Sequence, residues 1–301
     1  MVPCDSDIWN NLSVVREADL HYDSGNGEDY KKVTNAEKAW EIDAYPKLLS
    51  EIRAALGPSK LISAAVPGLT RDMMAFTKDT IPSIGASLDF VNIMTYDLMN
   101  RRDNVTKHHT GIQLSLESIS AYLENGVPAE KANLGFAFYV KCFKTDPDGG
   151  CSENPVGCRT PLMEDPETGA DLGQTAGFSW HDNVPSGLSK SFEKALAGGR
   201  YDSEGGGHYY WDSEENMWWT WDTPEVIAKK FPTIMEAKKL GGVFAWGLGE
   251  DGNEWTHLKA LTASWTKYSL RDAKEDEEVS PSSLAKGTTP SDRPARGREE
   301  L

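Results

Sequence analysis

Long apolar runs are what this sequence most lacks. In 301 residues no stretch approaches the roughly 20 apolar positions that span a bilayer, and the opening MVPCDSDIWNN lacks the basic-then-apolar layout of a secretory leader. No export signal is read here, and no membrane partner is expected. Basic residues are scarce as well: 31 Lys and Arg stand against 47 Asp and Glu, a net charge of −16 that repels polyanions and disfavours nucleic acid as a partner. The last 35 residues carry 7 basic and 8 acidic side chains, so nearly all of this charge lies in the body, as solvated faces or an acidic cleft. Cysteine is rarer still, with four in the chain. No CxxC or His/Cys spacing of a metal site occurs, so neither metal nor cofactor is expected. Cys151 and Cys158 bracket the loop SENPVG, which could close as a small disulfide and would then imply an oxidising compartment. The sequons at Asn11 and Asn104 are compatible with secretion.

What is present is a soluble profile, 39% hydrophobic and 10% aromatic, enough for a sizeable core. Its centre is Leu88 to Asn100, LDFVNIMTYDLMN, an apolar run without strict alternation that reads as a parallel strand covered on both faces and ending in Tyr96 and Asp97. An acid and a phenol thus stand at a strand's exit, where sites in parallel α/β folds lie. Before it, Thr34 or Asn35 and Glu37 form a capping box for a helix that Gly57-Pro58 ends. The apolar face of this helix is Trp40, Tyr45, Leu48, Leu49, Ile52 and Leu56, with a kink expected at Pro46. Lys60 to Val66 reads as a strand, and a helical stretch with Met73, Met74 and Phe76 leads to the central strand. After the loop NRRDNVTKHHTG come a helix around Leu114 to Glu124, a third strand at Asn133 to Phe138, and a fourth at Gly242 to Trp246. A helix from Thr223-Pro224-Glu225 precedes this last strand, and one from Trp255 to Trp265 comes after it.

Strand, helix, strand repeated is the βαβ pattern. The gap of about 100 residues between the third and fourth strands far exceeds an ordinary βα connection and requires an inserted subdomain. That insertion holds Trp211, Trp218, Trp219 and Trp221, the last two sharing a strand face opposite Trp218. Such rings either fill a small core or stack on sugars. Residues 267–301, charged and rich in Ser, Pro and Gly, read as a disordered tail.

The strand ends SAAVPG, NIMTYD, GFAFY and VFAWG, with GNGEDY at 25–30 and the distant AWGLGED, resemble the second half of a chitinase barrel of glycoside hydrolase family 18, fungal class V type, over residues 22–266. The resemblance implies α/β architecture, as the last four strands of a (β/α)8 TIM barrel with an inserted α+β subdomain. The divisions it suggests are 1–22 an atypical segment, 23–143 the first barrel part, 144–223 the insertion, and 224–266 the last strand and helix. It implies chitin or chito-oligosaccharide as partner and an extracellular setting. Family members use the substrate's own N-acetyl oxygen as nucleophile. Asp97 and Tyr96 would then hold and polarise the acetamido group, or else serve as a helix cap and a core phenol. Trp246 would floor the subsite of the distorted sugar, and Met94 and Tyr139 would line it. Lys141 stands where the family usually has Arg, losing bidentate geometry. His108 falls at a loop histidine of many relatives, or else is an exposed loop histidine, and Asp222 would help wall the cleft.

Upstream the resemblance breaks. The family motif DxxDxDxE ends in the acid that protonates the leaving oxygen. Here EADLHYDS puts Glu17, Asp19 and His21 at the positions of Asp, Asp and the catalytic Glu. A histidine has a shorter reach and a different pKa, so hydrolysis by this chain is expected to be very weak or nil. Four parallel strands also cannot close a barrel, which predicts exposed edges and self-association, or a sequence that begins late. The residues are open to three readings: a chitinase-family protein that keeps substrate contacts without its acid, a lectin-like chitin binder, or an inactive truncated product.

Overall fold

The computed structural model describes residues 29–247 and 249–279. Glu17, Asp19 and His21 lie outside that range. The capping box forms, with the Thr34 N–H 2.7 Å from the Glu37 carboxylate. It closes a run of turns, however, and the regular helix α1 begins later, at Glu41–Leu56. Pro46 sits in its second turn without ending it. Only Tyr45 and Leu49 of the expected apolar face are buried, while Trp40, Leu48 and Leu56 are exposed. The stripe that meets the core is therefore narrower than the sequence pattern.

Strand β1 (Ser63–Pro67) follows. The stretch with Met73, Met74 and Phe76 is not a helix: after a 3-10 turn at Thr70–Asp72 it runs irregularly, Met73 and Phe76 plugging the core, before a short helix α2 (Ile81–Ser87). Strand β2 (Phe90–Met94) leads through a long loop to α3 (Ile112–Glu124), which Asn125 and Gly126 close, Gly126 at φ 104°. Strand β3 (Ala132–Ala137) passes at Phe138 directly into β4 (Tyr139–Lys144). The insertion continues as β5 (Thr175–Ser179), α4 (Ser189–Gly198), β6 (Arg200–Asp202), β7 (Gly207–Asp212) and β8 (Met217–Trp221). Helix α5 (Pro224–Lys230), capped by the Thr223 hydroxyl, runs into a π-helical turn at Phe231–Glu236, then β9 (Gly242–Trp246) and α6 (Thr256–Val279).

Two sheets result. The first is parallel in the order β1-β2-β3-β9, and the second antiparallel in the order β5-β4-β8-β7-β6. Among the described residues the parallel sheet does not close into a barrel. Its helix-covered face holds the main core, to which Val66, Val91, Ile93, Leu134 and Phe136 contribute. Burial in β2 alternates, Val91 and Ile93 inward, with Asn92 on the other face accepting a 2.9 Å bond from Asn133. Among the described residues helices pack against one face of the sheet, so the expected cover on both faces is not seen there. Helix α6 runs through Val279, past the boundary expected at residue 267, and Tyr268, buried beside Trp265, donates its hydroxyl 2.9 Å to the Leu240 carbonyl; residues 280–301 of the expected tail lie outside the described residues. No helix of the described residues is long and apolar enough to cross a membrane.

The tryptophan-rich strand β8 is core. Trp219 and Trp221 pack on Phe178 and Phe192 on one face, while Trp218 sits on the other with Met99, Phe143 and Met163. Cys151 and Cys158 are bonded, and their loop is stitched to the β2 loop through Thr106, whose hydroxyl donates to the Pro155 carbonyl at 2.6 Å. Trp219→Ala is expected to lower unfolding free energy by about 3–5 kcal/mol, read as a shift in denaturant midpoint. An unchanged midpoint would assign that indole a surface role.

Candidate functional site

Register sets the site. Pro67 pairs with Met94, Ile93 with Leu134 and Ala137 with Trp246, so β1 and β2 stop two residues short of β3 and β9 at the carboxyl end of the sheet. Just beyond Met94 the ladder is completed by a side chain: the Thr95 hydroxyl donates 2.7 Å to the Gly135 carbonyl and accepts from the Gly135 N–H at 3.0 Å. Gly135 is required there, since a Cβ would stand 3.0 Å from the Tyr96 ring and 2.8 Å from the Ile93 carbonyl. Tyr96 lies in the space this leaves, edge-on to Tyr139 and Phe244. Asp97 then takes φ 55°, a left-handed turn unusual for a residue with a Cβ, and the Leu98 N–H closes the loop on the His109 carbonyl.

These residues line a cleft of about 920 Å³. On one side stand Met94, Tyr96, Asp97, Tyr139 and Lys141; Trp246, with 43% of its surface exposed, and Glu250 also line it. Phe178 and Asp182 extend the wall from the insertion. The sequence-derived residues Met94, Tyr96, Asp97, Tyr139 and Trp246 are thus brought together.

Asp97 is the electrostatic centre. A single oxygen, Oδ1, accepts from the Tyr139 hydroxyl at 2.8 Å and from the Lys141 ammonium at 2.7 Å, with His109 Nδ1 at 3.9 Å. The side chain keeps 46% of its surface accessible. Burial opposes its charge, but the Lys141 ammonium above all, with the neighbouring His109 and the Tyr139 hydroxyl, outweighs it and holds the carboxyl below the usual range. Its contribution to stability is therefore present above its ordinary value and lost as pH falls through the lower folded value. Lys141 acts as a point charge on one oxygen. His109, fully buried and tilted against Tyr139, is pushed down to about 3 by burial and is neutral near pH 7. The Tyr139 hydroxyl is pushed well up by burial and by Asp97, so it remains a donor.

Two expected residues stand elsewhere. Asp222 is fully buried and does not wall the cleft; it pairs with the equally buried Lys230 at 2.6 Å, and Thr110 donates to it at 3.1 Å. Asp222 lies between β8 and α5, and Lys230 is the last residue of α5, so their meeting depends on how that helix folds back. His108 is not an exposed loop histidine either. It is buried against Trp218 and Tyr209 and meets Asp202 at 2.9 Å, and this hydrogen bond is the main cause that holds the Asp202 carboxyl down to about 2. Sequence reasoning missed His109, Asp182 and Glu250. The last lies inside the AWGLGED string, immediately beyond a strand exit, where an acid has the same claim to notice as Asp97. Among the described residues no three His, Cys, Asp or Glu side chains converge to hold a metal ion.

A parallel sheet with an acid, phenols and an exposed indole at its carboxyl ends is the arrangement of a TIM-barrel-like α/β protein. A family 18 chitinase from Cycas revoluta solved with (GlcNAc)4 superposes with a TM-score of 0.56 at 22% identity, covering 75% of this chain and 64% of that one. A chitinase-like agglutinin from Robinia pseudoacacia gives 0.51 at 22%, over 77% and 63%. The model of glycosyl hydrolases family 18 matches residues 18–251, and the chain belongs to that family. Nod factor hydrolase protein 1 of Medicago truncatula is 30% identical over 217 residues, 69% of this chain and 50% of that protein. The chain spans about half the length of the curated relatives it matches.

Lys141→Met should raise the titration midpoint of Asp97, because the largest influence holding it down is removed. Carboxyl carbon NMR across the acid range measures this, and an unmoved midpoint would mean that Lys141 does not set the charge of the site.

Proposed function

We propose that the chain binds β-1,4-linked N-acetylglucosamine polymers in the cleft lined by Trp246, and that it hydrolyses them very weakly or not at all. The carrying observation is the state of Asp97: ionised, fixed on one side by Tyr139 and Lys141, and accessible to the cleft. A carboxylate so held accepts the N–H of an acetamido group and makes its carbonyl oxygen more nucleophilic, while a neutral phenol such as Tyr96 donates to that oxygen. The chemistry this supports is substrate-assisted, with attack of the acetamido oxygen on the anomeric carbon and retention of configuration. Trp246 offers the apolar ring on which a sugar's CH face rests, and Met94 and Tyr139 border the same space.

Turnover also needs a proton for the leaving oxygen. By family resemblance that position falls on His21, and an unperturbed imidazole is mostly neutral near pH 7. The four parallel strands are read as the last four of a (β/α)8 barrel. Self-association through the β1 edge is in keeping with the exposed Leu56 and Leu61 beside it. The Cys151–Cys158 bond supports an oxidising, extracellular setting.

The lectin-like reading is supported by the pairing of the Asp97 cluster with a histidine at the position where the resemblance places the acid. Retention on chitin without release of soluble oligosaccharide is the expected result, and cleavage at a rate ordinary for a chitinase would overturn it. His21→Glu should raise cleavage from the background if the alignment of residues 16–24 is right. Absence of retention together with aggregation would identify an inactive product.

A further inference from the structure

We propose that Glu250 sets which sugar the cleft prefers: together with Asp182 it presents negative charge beside the exposed Trp246 ring, so that the favoured ligand is a β-1,4-linked chain in which free glucosamine ammonium groups alternate with N-acetylated units. The inference rests on the reading of the cleft as a sugar site.

Glu250 follows Trp246 across one tight turn and lines the same cleft, so charge and ring stand close together. Its main chain is pinned on both sides. The Glu250 N–H donates 3.0 Å to the Gly247 carbonyl, and the Glu250 carbonyl accepts from the His181 N–H at 3.2 Å. His181 immediately precedes Asp182, whose own N–H donates 3.1 Å to the Ser179 carbonyl at the end of β5. Two carboxylates from different elements are thereby placed at one end of the cleft. The charges lining it are Asp97, Asp182, Glu250 and Lys141. Lys141 is committed to Asp97 at 2.7 Å, and among the described residues no other lysine or arginine lines the space.

A fully acetylated chain offers only hydroxyls and amides to this surplus of negative charge, whereas an ammonium group answers it directly. Desolvation and the repulsion of Asp182 and Asp97 raise the Glu250 carboxyl above its ordinary range, the mark of an acid that gains from a nearby cation. The catalytic reading of Asp97 does not use Glu250, so its charge is available to set specificity.

The test compares binding of the 301-residue chain to two chitin oligomers of matched length, one fully N-acetylated and one partly de-N-acetylated, by calorimetry at neutral pH. The partly de-N-acetylated oligomer is expected to bind about five-fold more tightly, the scale of a solvent-accessible ion pair, and the advantage should shrink in high salt. Glu250→Gln keeps the size and polarity of the side chain and removes the charge; it should bring the ratio of the two affinities toward one. Asp182→Asn, on an exposed turn, should do so in part. Glu193→Gln on the outer face of α4 controls for the chain's overall negative charge and should leave the ratio where it is. Equal affinity for the two oligomers, or an unchanged ratio in both cleft variants, would overturn the proposal while leaving the sugar site intact. Failure of either oligomer to bind would overturn the sugar-site reading itself.

Discussion

Much of this molecule depends on one hydroxyl. Thr95 stands at the point where the β2 and β3 ladders stop, and its Oγ takes over both halves of a main-chain pairing with Gly135. A buried peptide left unpaired there would cost about 1–3 kcal/mol, and a strand end free to fray could not aim the two side chains beyond it. Because Thr95 holds, the chain can turn sharply at Asp97 and still deliver Tyr96 and Asp97 to fixed positions. Gly135 complements this from the facing strand by having no side chain where the Tyr96 ring must pass.

Two acid–lysine pairs show how solvent access separates chemistry from architecture. Asp222 and Lys230 are both sealed and satisfy mainly each other and Thr110, joining the insertion to α5 and the β2 loop. Asp97 and Lys141 sit at nearly the same separation but open onto a cleft, so the charge that stabilises the pair also faces whatever enters. The buried pair is costly to break and does little beyond holding register. The accessible pair is easier to break and is available to a ligand.

The parallel strands were legible because their ends carry punctuation: Pro67-Gly68, the Tyr96-Asp97 exit, and the AWG string after Gly242. The Trp219 and Trp221 face and its opposite, Trp218, could be read from a period of two. The features that escaped the sequence depended on partners distant along it. Nothing local says that Met73 to Phe76 will plug a core rather than coil into a helix. The adjacent histidines 108 and 109 part company only because Asp202 lies against the first and Asp97 beside the second. Tyr268 looked like part of a polar tail until its place one turn beyond Trp265, over Leu240, gave it a core to join.

The continuity of β3 into β4 has a mechanical consequence. Asp97 belongs to the parallel sheet and Lys141 to the antiparallel one, yet the two sheets are joined by a single extended chain through Phe138, whose side chain is fully buried and whose N–H is bonded 2.8 Å to the Trp246 carbonyl. Swinging one sheet against the other would have to break that joint. The cleft is therefore not built as a pair of jaws: a wall fixed in this way leaves little of a ligand's binding energy to be spent on shaping it.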